Sequence, residues 1–153
     1  MTIHSTPAVG IDLGTTFSLV AHLDSAGRPW TIPNAEGDML TPSVVLFEGS
    51  SVVVGKEAGK AAALEPERIA QFAKRDMGSA VYAKAINGEH LPPEVIQSLI
   101  LEKLKRDAEA KLRAQQGKRF REVSAHVLVD QQATRAAIAK ELVWLSKVGR
   151  EGE

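Results

Sequence analysis

The sequence predicts an α/β fold, and three observations carry that prediction. Short β-branched runs of period two crowd the first third of the chain. An alanine-rich, helix-prone stretch at 56–64 then breaks that period. Finally Ile96, Leu99, Ile100, Leu104, Ala108 and Leu112 recur at three- and four-residue spacings, the apolar stripe of an amphipathic helix.

The elements follow in chain order. Val9, Ile11 and Leu13 alternate with Gly10 and Asp12, which predicts a strand, and apolar character resumes over 17–23 after the turn Gly14-Thr15-Thr16. Those two strands make a hairpin. Asp24-Ser25-Ala26-Gly27 turns the chain again, a short strand runs through Trp30, Thr31 and Ile32, and 33–38 is a loop. A second hairpin pairs 43–48 with 52–54 across Gly49-Ser50-Ser51, and Pro42 suits a strand's first position, where no ladder donor is needed. Residues 56–64 predict a helix, and Pro66 opens another short one carrying Ile69 and Phe72, ended by Gly78. Asn87-Gly88 is a turn. Pro92-Pro93 introduces the long helix, which Gln115-Gln116-Gly117 stops. Glu102, Lys103, Lys105, Arg106, Asp107 and Glu109 are expected largely on its outer face as solvating charge, with Glu102 and Arg106 a pair contributing about 0.3 kcal/mol. A last strand at 122–129 and a helical stretch at 131–148 precede a tail, 149–153, expected to fray.

A chain of 153 residues with 44% apolar content supports one core, burying roughly 70% of the unfolded surface. The 19 basic and 19 acidic residues give a formal charge of +0, which removes any broad electrostatic argument for nucleic acid or an anionic membrane. With no cysteine, disulfide frameworks and thiolate metal sites are excluded, and a reducing compartment fits. The first seven residues lack a signal-peptide pattern, and no apolar run approaches the roughly 20 residues of a membrane span, so a cytoplasmic protein is expected. His4, His22, His90 and His126 are scattered without metal-ligand spacing; His22 and His126 read as strand residues. Trp30 and Trp144 lack basic and aromatic company, which favours core or lobe-interface packing over base stacking.

The chemistry concentrates in the first hairpin turn. Gly14 permits positive φ and a close backbone approach, so successive N–H groups can line one concavity, and the Thr15 and Thr16 hydroxyls add rotatable donors. A phosphate chain suits such a nest. Asp12, just before it, would repel phosphate but can hold hydrated Mg²⁺, which keeps most of its waters. An ordinary tight turn with Asp12 as a capping carboxylate is the alternative.

Ile11 to Thr16 (IDLGTT), Asn34 to Asp38 (NAEGD), Thr41 to Ser43 (TPS), and Gly55-Lys56 with Ala58 and Lys74-Arg75, in this order and spacing, resemble the start of an Hsp70 chaperone, in the superfamily of actin and the sugar kinases. The resemblance implies lobe I of an actin-like ATPase, a ribonuclease H-like mixed sheet with flanking helices, here incomplete, in which 122–129 is a parallel strand. It implies ATP and Mg²⁺ as cofactors, with Thr15 and Thr16 on the β- and γ-phosphates beside Gly14. Asp12 is then bonded to Mg²⁺-bound water, and Lys74 orients the attacking water. Without the family, Lys74-Arg75-Asp76 reads as a soluble helix end. Phe17 departs from the polar or tyrosine residue often found at its position.

The resemblance also implies what the 153 residues do not contain: the second phosphate loop, the adenosine loop, the other catalytic carboxylates, the interdomain linker and the peptide-binding domain. A short block carrying the proline of the interdomain switch is missing after Val129, where Asp130 and then Gln132-Ala133-Thr134-Arg135 follow directly. The expectation is therefore a partial nucleotide-binding domain over 1–153, the N-terminal fragment of a chaperone whose family couples ATP hydrolysis to protein folding. Its implied partners are ATP or ADP, with unfolded clients and co-chaperones for the full-length family. Hydrolysis is expected to be lost in this chain alone, and poor folding is expected from the lobe surface it exposes. A sugar-kinase-branch phosphotransferase fragment and a non-enzymatic product of a decayed, truncated or miscalled gene are the alternatives.

Overall fold

The computed structural model describes residues 9–24 and 26–114. The expected strand at 122–129, helix at 131–148 and helix stop at 115–117 lie outside them, as do His4, His126 and Trp144.

Two antiparallel sheets and two helices make up the described part. In the first sheet, β1 (Val9–Asp12) pairs with β2 (Phe17–Leu23) in the register Val9↔His22 to Asp12↔Leu19. On the other side of β2 lies β3 (Pro29–Ile32), and the two-residue β4 (Thr41–Pro42) pairs with the start of β2, Ser18 against Thr41. Along β2 the inward positions are Ser18, Val20 and His22, the period of two that makes one face core. Gly27 adopts φ 73° in the β2–β3 turn. Trp30 on β3 is 61% exposed, so it is not a core residue.

The second sheet has the order β6-β5-β7, from β5 (Val44–Glu48), β6 (Ser51–Val54) and β7 (Ile69–Gln71). Its centre is buried on both faces. Val45 joins the main core with Ile96, Ile100 and Leu104 of α2 (Pro93–Arg113), while neighbouring Leu46 packs with Ile69 and with Ala58 of α1 (Lys56–Ala61). That two-sided burial explains the unbroken apolar run Val44 to Phe47.

The helix expected to carry Ile69 and Phe72 is not formed. Pro66–Arg68 is a single 3₁₀ turn, after which Ile69–Gln71 extends along the edge of β5. Three residues cannot repay helix nucleation, whereas pairing with β5 satisfies the backbone and buries Ile69 and Ala70. Phe72 then takes the left-handed conformation, φ 60° and ψ 16°, and opens a second 3₁₀ turn, Ala73–Asp76, with Arg75 stacked on its ring at 4.9 Å. Gly78, at φ 91°, leads out of this segment as expected. Asn87 and Gly88, at φ 52° and 82°, form the anticipated turn, closed by Ile86 against Glu89.

Helix α2 bears out the predicted stripe, with Ile96, Ile100, Leu104, Ala108 and Leu112 buried. Its charges are a correction. Lys103 and Asp107, expected outside, are 5% and 6% exposed. Lys103 Nζ donates to Asp107 Oδ2 at 2.8 Å and to both carboxylate oxygens of Glu36 at 2.9 and 3.0 Å, and Ala35 N–H donates to Asp107 Oδ2 at 3.2 Å. Glu102 and Arg106 do not pair; Arg106 Nε stands 4.0 Å from Asp107 Oδ1. A lysine and an aspartate four residues apart read as surface charge unless the loop they receive is known.

Candidate phosphate-binding site

The turn between β1 and β2 is held from several directions. Gly14 is not in the left-handed region, contrary to the expected use of its freedom; it is needed for close approach, since a Cβ there would lie 2.0 Å from Phe17 O. Gly14 N–H donates to Ser18 Oγ at 3.1 Å, Ser43 Oγ donates to Gly14 O at 2.9 Å, and Ser43 N–H donates to Thr16 O at 2.9 Å. Lys74 Nζ donates to Leu13 O at 2.8 Å. Thus the carbonyls of Leu13, Gly14 and Thr16 are all engaged by the protein. Among the described residues no hydrogen bond is formed by the N–H or hydroxyl groups of Thr15 and Thr16.

Asp12 ends β1 with its side chain exposed and, among the described residues, its carboxylate makes no hydrogen bond or ion pair. Thr15 is half-buried and Thr16 exposed; Phe17, which follows, is 49% exposed beside the turn. Lys74 is delivered from the other sheet's end by the 3₁₀ turn after Phe72, whose Ala73 is buried in the main core. Sixty-one residues apart in sequence, Lys74 and Leu13 are in direct contact. The structure therefore brings Lys74 to the loop that carries Gly14, Thr15 and Thr16, through the Leu13 carbonyl, while Asp12 is placed by its strand at the loop's entrance.

These groups suit Mg²⁺ with a polyphosphate. The N–H and hydroxyl donors of Thr15 and Thr16, unused among the described residues, match phosphate oxygens together with an ammonium at the loop, and an exposed carboxylate such as Asp12 is what a hydrated Mg²⁺ accepts. No three of His, Asp and Glu come together among the described residues, so a directly ligated metal has no cage there.

The NAEGD segment acquires a physical role. Asn34 N–H donates to Asp38 O at 2.9 Å and Asp38 N–H to Asn34 Oδ1 at 2.8 Å, with Gly37 at φ 87°, while Asn34 Nδ2 donates to Thr41 Oγ1 at 3.2 Å. Lys103, Glu36 and Asp107 fasten this loop to α2. Gly55, at φ 99°, lies under Lys103; a Cβ there would be 3.2 Å from Lys103 Cε and 3.4 Å from Thr41 Cγ2. Burial alone would lower the pKa of Lys103, but its hydrogen bonds to Asp107 and Glu36 outweigh that and hold it above the ordinary 10.5.

Sequence reasoning missed Ser18 and Ser43 as holders of the loop. Ser18 had a signal: it falls on the inward series of β2 with Val20, and a buried hydroxyl needs a partner.

A family profile for the Hsp70 protein matches residues 8–87, which takes in IDLGTT, NAEGD, TPS and Lys74. The chain belongs to the Hsp70 family. Chaperone protein DnaK of Thermotoga neapolitana is 47% identical over 105 residues, covering 68% of this chain and 17% of that protein. The same values hold for Chaperone protein DnaK of Thermotoga petrophila and of Thermotoga maritima. The chain thus spans about 17% of the length of these Hsp70 relatives. The α/β arrangement of antiparallel sheets and helices fits an incomplete Hsp70 ATPase lobe, and no described helix is long and apolar enough to cross a membrane.

Proposed function

We propose that residues 12–16 with Lys74 form the β- and γ-phosphate side of a Mg²⁺-ATP site, within a partial nucleotide-binding lobe spanning 1–153. The contact between Lys74 and the Leu13 carbonyl supports this most strongly. It places a cation from a distant segment at a turn whose outward donors are unused, an arrangement an ordinary tight turn does not require. Thr15, Thr16 and the Gly14 backbone would hold phosphate oxygens, Asp12 a Mg²⁺-bound water, and Lys74 the attacking water. In the whole protein this site would serve ATP hydrolysis coupled to the folding of client proteins with co-chaperones, in the cytoplasm and under stress. No observation favours the sugar-kinase reading.

Removing one phosphate donor and one metal-side acceptor separates the roles. Asp12→Asn should weaken the Mg²⁺ dependence of nucleotide binding, and Thr15→Ala should weaken binding about tenfold with or without metal. Titration of ATP against wild type and both variants, in Mg²⁺ and in EDTA, measures this. Identical isotherms for all three would return the segment to a plain turn.

A further inference from the structure

The three atoms Gly14 N, Ser18 Oγ and Ser43 Oγ, with Gly14 O, form a closed ring of hydrogen bonds. Ser18 Oγ and Ser43 Oγ are 2.9 Å apart, and both serines are almost wholly buried. Only one assignment of protons is self-consistent. Gly14 N–H must donate to Ser18, and Gly14 O must accept from Ser43, so the remaining hydroxyl proton runs from Ser18 to Ser43. The ring therefore has a direction, Gly14 N–H to Ser18 to Ser43 to Gly14 O, and each link polarises the next.

The consequence falls on Thr15. The peptide joining Gly14 and Thr15 is planar and trans, since no cis bond is present, so its N–H points opposite to its C=O. With Gly14 O turned in towards buried Ser43, Thr15 N–H is turned away from the interior. The preceding peptide is fixed at both ends as well, its C=O by Lys74 and its N–H by Ser18. Gly14 lacks a Cβ, so without these bonds its flanking peptide planes would be the easiest in the loop to rotate.

We propose that Ser18 and Ser43 are positioning residues which lock the Gly14–Thr15 peptide with its N–H presented to the phosphate. Neither serine touches the ligand; both act through the backbone of Gly14. Ser43 also holds Thr16 O through its own N–H, so one residue of the TPS segment sets two peptides of the loop. The geometry of the lock stands on the structure, while its purpose rests on the nucleotide reading above.

The test uses the full 153-residue chain with Ser43→Ala, Ser18→Ala, the rescue variant Ser43→Thr, and Ile96→Val as a core change remote from the loop. Amide hydrogen exchange at Gly14, whose N–H the ring holds, reads the lock, and Mg²⁺-ADP titration reads its purpose. Both alanine variants should speed Gly14 exchange roughly tenfold and weaken Mg²⁺-ADP about tenfold, well below their melting temperatures. Ser43→Thr, which keeps the hydroxyl, should stay near wild type, and Ile96→Val should change neither readout at the loop. Unchanged exchange at Gly14 in both alanine variants would overturn the lock whether or not nucleotide binds. Equal weakening in Ile96→Val would show mere loss of stability and overturn it too. Faster Gly14 exchange in both alanine variants of a chain whose wild type binds no Mg²⁺-ADP would overturn the nucleotide reading and leave the lock in place.

Discussion

Lys103→Met should destabilise the fold by about 3 kcal/mol, the low end of the cost of stranding buried charge. The substitution keeps the aliphatic stem over Gly55 but removes the ammonium that Asp107 and Glu36 share. Asp107 then loses its buried cation and keeps only the Ala35 N–H and the exposed Arg106 guanidinium, 4.0 Å from its other oxygen, whereas Glu36, a third exposed, can turn to water. For a domain of this size the shift is on the order of 10 °C in melting temperature. The double variant Lys103→Met, Asp107→Leu should recover part of the loss, because no orphaned charge remains. The pH dependence has a definite sign. A lysine whose folded-state pKa is raised stabilises fully below its unfolded value and loses that contribution as pH rises through the folded one. The gap between wild type and Lys103→Met should therefore be constant through neutral pH and narrow above about pH 10.5. Thermal melts of the three proteins across pH 7–11 check this, and a gap that widens with pH would contradict the assignment.

The second large effect concerns turnover. The 153-residue polypeptide on its own should not hydrolyse ATP at a rate typical of an Hsp70. The resemblance implies a nucleotide held between two lobes, and the single lobe proposed for residues 1–153 would forgo at least two charge-assisted hydrogen bonds of about 2 kcal/mol each, roughly 10³ in affinity. A micromolar site becomes millimolar. Catalysis falls further, because an open site admits bulk water, which weakens each electrostatic contact to the developing charge. Phosphate release under saturating Mg²⁺-ATP, with Lys74→Ala as the control for contaminating ATPase, measures it. Steady turnover abolished by Lys74→Ala would show that a complete site assembles, for example by self-association.

Much of this was legible in the sequence where a periodic signal was long or a turn chemistry strong. The β1–β2 hairpin, the β5–β6 hairpin, the Asn87-Gly88 turn and helix α2 each rest on such a signal. Residues 66–72 failed because Ile69 and Phe72 fit a helical spacing by chance, while the open edge of β5, invisible locally, claimed Ile69 and Ala70. Lys103 and Asp107 failed for the same reason: their burial depends on Glu36 and Ala35, some seventy residues away. Of the candidate site, Asp12, Gly14, Thr15 and Thr16 are nominated by one short stretch of sequence. Lys74 is nominated only through the family resemblance, since nothing local in the sequence signals its contact with the Leu13 carbonyl 61 residues away. The Ser18–Ser43 ring was missed because a serine hydroxyl carries no signature until its partners are placed.

The central claim, that the Gly14-Thr15-Thr16 turn with Lys74 receives the phosphates of Mg²⁺-nucleotide, is tested most directly by amide chemical shifts. Titrating Mg²⁺-ADP into ¹⁵N-labelled chain should move the Thr15 and Thr16 amides first and furthest, saturating in the millimolar range, with smaller shifts when Mg²⁺ is withheld. Shifts centred on any other surface, or none at these two amides up to about 10 mM nucleotide, would contradict the account.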